Sequence, residues 1–158
     1  MSMETISHSR QQTLRIGRRM AKYLRPGDIV CLFGRLGCGK TVLTKGIAEG
    51  LGIGASRVIS PTFVLIREHE EGRIPLFHFD LYRLGQERDI AGLGYEEYLF
   101  GNGVSVIEWA DRLRRLMPKE FLKVNLSVTG ESERRLSFSA KGSRYKDLLE
   151  KIHENTPH

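Results

Sequence analysis

Apolar positions change their period several times along this chain, and each change marks an element. Leu14, Gly17, Met20, Ala21 and Leu24 recur at helical spacing while Arg15, Arg18, Arg19 and Lys22 face away, which predicts a first helix stopped by Pro26-Gly27. Asp28-Ile29-Val30-Cys31-Leu32-Phe33 is an apolar run of strand length and predicts a buried strand, and Lys40 to Leu51 reads as a second helix. Thr62 to Glu70 and Pro75 to Tyr82 flank Glu71-Gly72-Arg73 and predict an antiparallel hairpin. Short helices are expected from Gln86 to Gly92 and from Tyr95 to Phe100, followed by a buried strand from Val104 to Glu108. Leu122, Val124, Leu126 and Val128 alternate with polar residues, and Gly130-Glu131 turns the chain into Leu136-Ser137-Phe138, a second hairpin. Arg144 to His153 predicts a terminal helix, and the extreme ends are expected to fray. No repeat, low-complexity stretch or linker interrupts the pattern. The expectation is one α/β domain over residues 1–158, a mixed sheet in which two antiparallel hairpins lie beside parallel strands, with helices on both faces.

Between the buried strand and the second helix lies Gly34-Arg35-Leu36-Gly37-Cys38-Gly39-Lys40-Thr41, which fits the phosphate-loop pattern G-x-x-x-x-G-K-[ST] at every fixed position. A strand, a glycine loop and a helix in this order are what phosphate cradling needs. Glycines let backbone N–H groups converge on the anion, and the helix N-terminus adds positive potential. Lys40 is placed to reach the β- and γ-phosphates, and the Thr41 hydroxyl to ligate Mg²⁺. The domain is therefore expected to be P-loop NTPase-like and to bind a nucleoside triphosphate. The alternative is a glycine-rich turn that binds nothing.

Three further clusters carry chemistry. Val104-Ser105-Val106-Ile107-Glu108-Trp109 is an apolar strand ending in an acid, the place where phosphate-loop enzymes keep a carboxylate for Mg²⁺. Glu108 is that candidate; its alternative role is a charge at the start of a helix over Ala110 to Leu116. Trp109 either stacks on a partner or fills core. In Phe77-His78-Phe79-Asp80-Leu81-Tyr82-Arg83, strand alternation puts Phe77, Phe79 and Leu81 on one face and His78, Asp80 and Tyr82 on the other. An ionised Asp80 among apolar neighbours needs a cation or strong donors, supplied either by the hydrolytic machinery or by an ion pair with a base such as Arg83. His78 reads as a packed, hydrogen-bonded histidine. Ser60-Pro61-Thr62-Phe63 follows the loop helix where γ-phosphate-sensing switch segments lie, although Ser-Pro-Thr also makes an ordinary turn.

Composition adds little beyond this. The 25 basic and 19 acidic residues give a net charge of +6, which admits an anionic partner such as RNA, but the basic residues are spread along the chain and no basic patch is interleaved with aromatics. No run of about 18 apolar residues occurs, and the N-terminal stretch is polar, so a cytoplasmic protein is expected. Cys31 and Cys38 sit in a buried strand and in the phosphate loop, and are not expected to pair.

The series Gly34-x-Leu36-Gly37-x-Gly39-Lys40-Thr41, Ser60-Pro61-Thr62-Phe63, His78-x-Asp80-Leu81-Tyr82-Arg83 and Glu108-Trp109 resembles the TsaE (YjeE) family in order and spacing, from about Gln11 to Ala140. The resemblance implies a small bacterial ATPase needed for threonylcarbamoyl-adenosine formation in tRNA, which binds a TsaB–TsaD pair and resets it by ATP hydrolysis. It implies ATP and Mg²⁺ as cofactors and makes Gly34, Gly37, Cys38, Gly39, Lys40 and Thr41 the phosphate site. It assigns Thr41 and Glu108 to the metal and Asp80 to hydrolysis, beside Lys40 and Glu108. Thr62 falls in the switch segment, Trp109 beside the metal site, and Arg10 and Arg135 at the flanks of the nucleotide. Contact with tRNA inside the complex is open. Adenine specificity rests on the resemblance, since the chain carries no Asn-Lys-x-Asp guanine reader. Two positions depart from the family pattern, Arg35 where Asp is usual and Cys38 where Ala or Ser is usual. A thiol near a helix N-terminus is typically acidified, so modification of Cys38 is expected to block nucleotide binding. The competing reading is a small-molecule kinase with Arg112, Arg114 and Arg115 as lid arginines.

Overall fold

The computed structural model describes residues 1–59 and 65–155. Its elements are β1 (Ser2–Ser7), α1 (Arg10–Ala21), β2 (Ile29–Phe33), α2 (Lys40–Gly50), β3 (Ile66–His69), β4 (Leu76–Asp80), α3 (Glu87–Ala91), α4 (Tyr95–Leu99), β5 (Val104–Glu108), β6 (Phe121–Val128), β7 (Arg134–Lys141) and α5 (Ser143–Glu154). Among the described residues, seven strands form one sheet in the order β1-β7-β6-β2-β5-β4-β3. The centre, β6-β2-β5-β4, is parallel, and the β3–β4, β6–β7 and β1–β7 pairs are antiparallel. The mixed sheet with two hairpins is thus the architecture the apolar pattern predicts.

Strand alternation divides the core into two. Val30 and Leu32 of β2, Val104 and Val106 of β5, and Leu122, Val124 and Leu126 of β6 pack on one face against Met20 of α1, Leu43 and Ile47 of α2, and Leu148 and Leu149 of α5. Ile29, Cys31, Phe79 and Ile107 point the other way, against Ile90 of α3, Tyr95 and Leu99 of α4, and Leu113. Both faces are covered, which is why β2 reads as a continuous apolar run rather than an alternating one.

Two features differ from the sequence reading. The N-terminal residues do not fray: Ser2–Ser7 pairs along β7, from Ser2 opposite Ser139 to Ser7 opposite Arg134. With Ile6 as its one large aliphatic besides Met3, this strand has too little apolar content to announce itself. Ala110–Leu116 is a 3-10 segment broken at Arg114 (φ 48°, ψ −114°), so the segment after β5 carries no regular α-helix.

The C-terminal helix is tied to the start of β2 by a buried polar contact. The Ile29 N–H donates to the Tyr145 hydroxyl at 2.8 Å, and Arg144 reaches Asp28 through Nε (3.0 Å) and Nη2 (2.7 Å). Tyr145→Phe leaves the Ile29 N–H without its acceptor and is expected to cost about 1–3 kcal/mol. Burial pushes the Tyr145 hydroxyl up from 10.0 to about 12. The folded state disfavours the phenolate, so this group's contribution is complete below the unfolded value near 10 and is lost as pH rises to about 12. Urea midpoints should therefore fall less steeply between pH 10.0 and about 12 in Tyr145→Phe than in the wild type; equal slopes would contradict the assignment.

Candidate functional site at the carboxyl ends of the central strands

Local geometry builds the loop from β2 into α2. Gly39 caps the helix at φ 105°, in the left-handed region, and among the described residues no side chain caps the first turn of α2. A Cβ at Gly34 would meet the Leu126 carbonyl oxygen at 2.5 Å and Cys38 Sγ at 2.6 Å, so only glycine fits there. Lys40 is nearly buried, and its Nζ turns back to donate to the carbonyls of Gly34 (2.5 Å) and Arg35 (3.0 Å). Nζ also lies 3.9 Å from the Trp109 ring centroid, in cation–π range.

Adjacent strand ends deliver the acids. β4 and β5 run parallel with Asp80 opposite Glu108, so both side chains leave the same face of the sheet at the same height. Glu108 is 2% exposed. Its Oε1 accepts from the Thr41 hydroxyl at 2.8 Å, and its Oε2 meets the fully buried His78 Nε2. Asp80 Oδ1 accepts from the Tyr82 N–H at 3.0 Å. Trp109 takes φ 59°, one of two non-glycine residues with positive φ among those described, and this sharp turn after β5 brings its ring to 4.7 Å from Tyr82. Between stacking and core filling, the structure gives Trp109 a place at the rim of the site.

These groups line a cavity of about 370 Å³, with Leu36, Gly37, Lys40, Thr41 and Val42 on one side and Asp80, Tyr82, Arg83, Glu108 and Trp109 on the other. A second cavity, about 280 Å³, shares Gly37, Gly39 and Val42 and continues past the loop to Ser9, Arg10, Glu131 and Arg134. The two form a track on either side of the glycine loop. A larger hollow of about 870 Å³ opens at the amino ends of β2 and β6; ligands of open α/β sheets bind outside the carboxyl ends, which favours the loop track.

The structure brings together Gly37, Gly39, Lys40, Thr41, Asp80, Glu108 and Trp109, and places Arg10 in the adjoining cavity. It does not bring Arg135 there. Leu136 and Phe138 of β7 face the core beside α5, so Arg134 shares their face and Arg135 takes the opposite one. Arg134 is the residue at the loop, with Nη2 3.5 Å from the Gly37 carbonyl. Cys38 also departs from expectation: it is 1% exposed within the main core, with Sγ 3.5 Å from Lys40 Nζ, so a thiol reagent reaches it only if the loop opens. Thr62 and its neighbours from Ser60 to Phe63 lie outside the described residues. Arg114 and Arg115 line a separate surface hollow with Gln86, Glu87 and Arg88 and do not line the cavity at the loop. What sequence reasoning missed is the role of His78 and the neighbourhood of Tyr82; the clue was the shared strand face of His78, Asp80 and Tyr82.

A family model described as threonylcarbamoyl adenosine biosynthesis protein TsaE matches residues 7–136. The chain belongs to the TsaE family. A relative from Bacillus subtilis (strain 168), named tRNA threonylcarbamoyladenosine biosynthesis protein TsaE, is 42% identical over 148 residues, 92% of this chain and 91% of its own. Another of the same name, from Treponema pallidum (strain Nichols), is 38% identical and covers 85% of this chain and 98% of its own. The crystal structure of Bacillus subtilis YdiB matches with a TM-score of 0.84 at 36% identity, over 98% of this chain and 97% of that one. The TsaE match spans the loop, both acidic strand ends and Trp109, so the whole track described above lies inside it. No helix among the described residues is long and apolar enough to cross a membrane.

Proposed function

We propose that this TsaE-family chain is a Mg²⁺-dependent ATPase that serves tRNA threonylcarbamoyladenosine formation, binding a TsaB–TsaD pair and resetting it by hydrolysis. The observation that carries the reading is the Thr41–Glu108 hydrogen bond at the end of a glycine loop. The Thr41 hydroxyl spends its single hydrogen on Glu108 and so keeps its lone pairs for a cation. The residues present fit the nucleotide and the metal: uncapped α2 amides, a lysine inside the loop, and a hard-oxygen pair suited to Mg²⁺. Thr41 and Glu108 would hold the metal, which neutralises phosphate charge when bound.

Within this reading, the loop amides and Lys40 bind the β- and γ-phosphates, and Arg10 and Arg134 flank the nucleoside end of the track. Asp80, on the γ-phosphate side, orients the attacking water. Lys40 must leave the Gly34 and Arg35 carbonyls to do its work, and in leaving it moves away from Trp109. Trp109 is the chain's single tryptophan, so its emission reports changes at this site. Adding ATP is expected to change the fluorescence saturably, and Lys40→Ala should shift that response to higher ATP concentration; no response in the wild type would place the nucleotide elsewhere.

Slow turnover is expected from the chain alone, as for phosphate-loop enzymes that wait for a partner's arginine finger. Where a partner supplies one, gains of about 10³–10⁵ are known for phosphate-loop enzymes. The test measures phosphate release with the organism's own TsaB and TsaD added. Stimulation supports the partner-gated reading. No stimulation and no stable complex would contradict it and turn attention to a phosphate acceptor, as in a kinase.

A further inference from the structure

The buried carboxylate of Glu108 has to keep one orientation for Thr41 to be aligned, and among the described residues one group is placed to enforce it. Oε1 is engaged by Thr41 at 2.8 Å. Thr44 Oγ1 lies 3.4 Å from Oε2, but its single hydrogen is committed to the Lys40 carbonyl at 2.9 Å. The donor for Oε2 is therefore His78 Nε2. His78 stands on β4 opposite Val106 of β5, two residues before Asp80, and is fully buried; its side chain has no other hydrogen-bond partner among the described residues, Nδ1 included. A proton on Nδ1 would be a buried, unpartnered donor, which costs about 1–3 kcal/mol, whereas Nε2–H is satisfied in full by the carboxylate.

We propose that His78 is a positioning residue: as the Nε2–H tautomer it clamps Oε2 of Glu108, leaves Oε1 aimed at the Thr41 hydroxyl, and thereby sets the affinity of the nucleotide complex for its divalent cation. The inference rests on the ATPase reading above. Partners that orient a metal-binding carboxylate typically matter by about 10–100-fold in metal affinity. His78 is fully buried and lines neither cavity of the track, so its loss should spare metal-free nucleotide binding.

The experiment titrates Mn²⁺ into the protein bound to β,γ-imido-ATP, read by electron paramagnetic resonance, alongside the affinity for the analogue without metal. His78→Leu is expected to weaken Mn²⁺ binding about 10–100-fold and leave metal-free affinity within about two-fold. His78→Gln, whose amide N–H takes the place of Nε2–H, should recover most of the loss. Full Mn²⁺ affinity in a folded His78→Leu protein would overturn the clamp while leaving the ATPase reading intact. Absence of metal-coupled nucleotide binding in the wild type would overturn the ATPase reading itself. Should His78→Leu fail to fold, ¹⁵N imidazole spectra of the wild type decide: Nε2 protonated and Nδ1 bare is expected, and the reverse tautomer would overturn the proposal.

Discussion

Lys40→Ala is expected to lower ATP hydrolysis about 10²–10³-fold, the effect of deleting one preorganised charge that meets a developing anion. The fold should survive the change. Among the described residues Nζ hydrogen-bonds only to loop groups, the Gly34 and Arg35 carbonyls and Cys38 Sγ, and the loop lines open cavities on both sides where water can take over the carbonyls. The check is single-turnover phosphate release together with a thermal melt. Loss of activity with a melting point within a few degrees fits the account, since about 1 kcal/mol corresponds to about 2–8 °C for domains of this size range. Unchanged hydrolysis would remove the loop from the mechanism.

Glu108→Gln is expected to abolish metal-stimulated hydrolysis to a similar degree and, unlike Lys40→Ala, to destabilise the protein. The reason lies in its partners. A glutamine can still accept from Thr41 through its carbonyl oxygen, but its NH₂ then confronts the His78 Nε2–H, donor against donor. Either His78 changes tautomer or one buried donor stays unpaired, at about 1–3 kcal/mol. Glu108→Ala removes the acceptor for both Thr41 and His78 and should be less stable still. Chemical denaturation of the three proteins is expected to give the stability order wild type, Glu108→Gln, Glu108→Ala. A Glu108→Gln protein with wild-type metal-stimulated turnover would show that the carboxylate is not part of the site.

Much of this was legible along the chain because local rules act locally. The P-loop announces itself by eight consecutive residues, and alternation in β4 already placed His78 and Asp80 together on one face. Glu108 stood out as a charge closing an apolar strand. What stayed hidden depends on distance in space. The Ser2–Ser7 strand gains its place from β7, over a hundred residues away, and its own sequence is mostly polar. Arg134 and Arg135 look alike in sequence, and one residue of strand register decides which faces the loop. The burial of Cys38 follows from core packing around Leu126, which its position at a helix start does not reveal. His78 was read as a packed histidine, and it is packed; the carboxylate it holds comes from the neighbouring strand, 30 residues further on.

The measurement that bears most directly on the central claim follows the γ-phosphate of labelled ATP incubated with the purified chain, with and without Mg²⁺, and with TsaB and TsaD present. The account predicts ADP and free inorganic phosphate in equal amounts, dependent on Mg²⁺ and lost in Lys40→Ala. Label retained on ATP under every condition, or transferred to an acceptor instead of released, would contradict it.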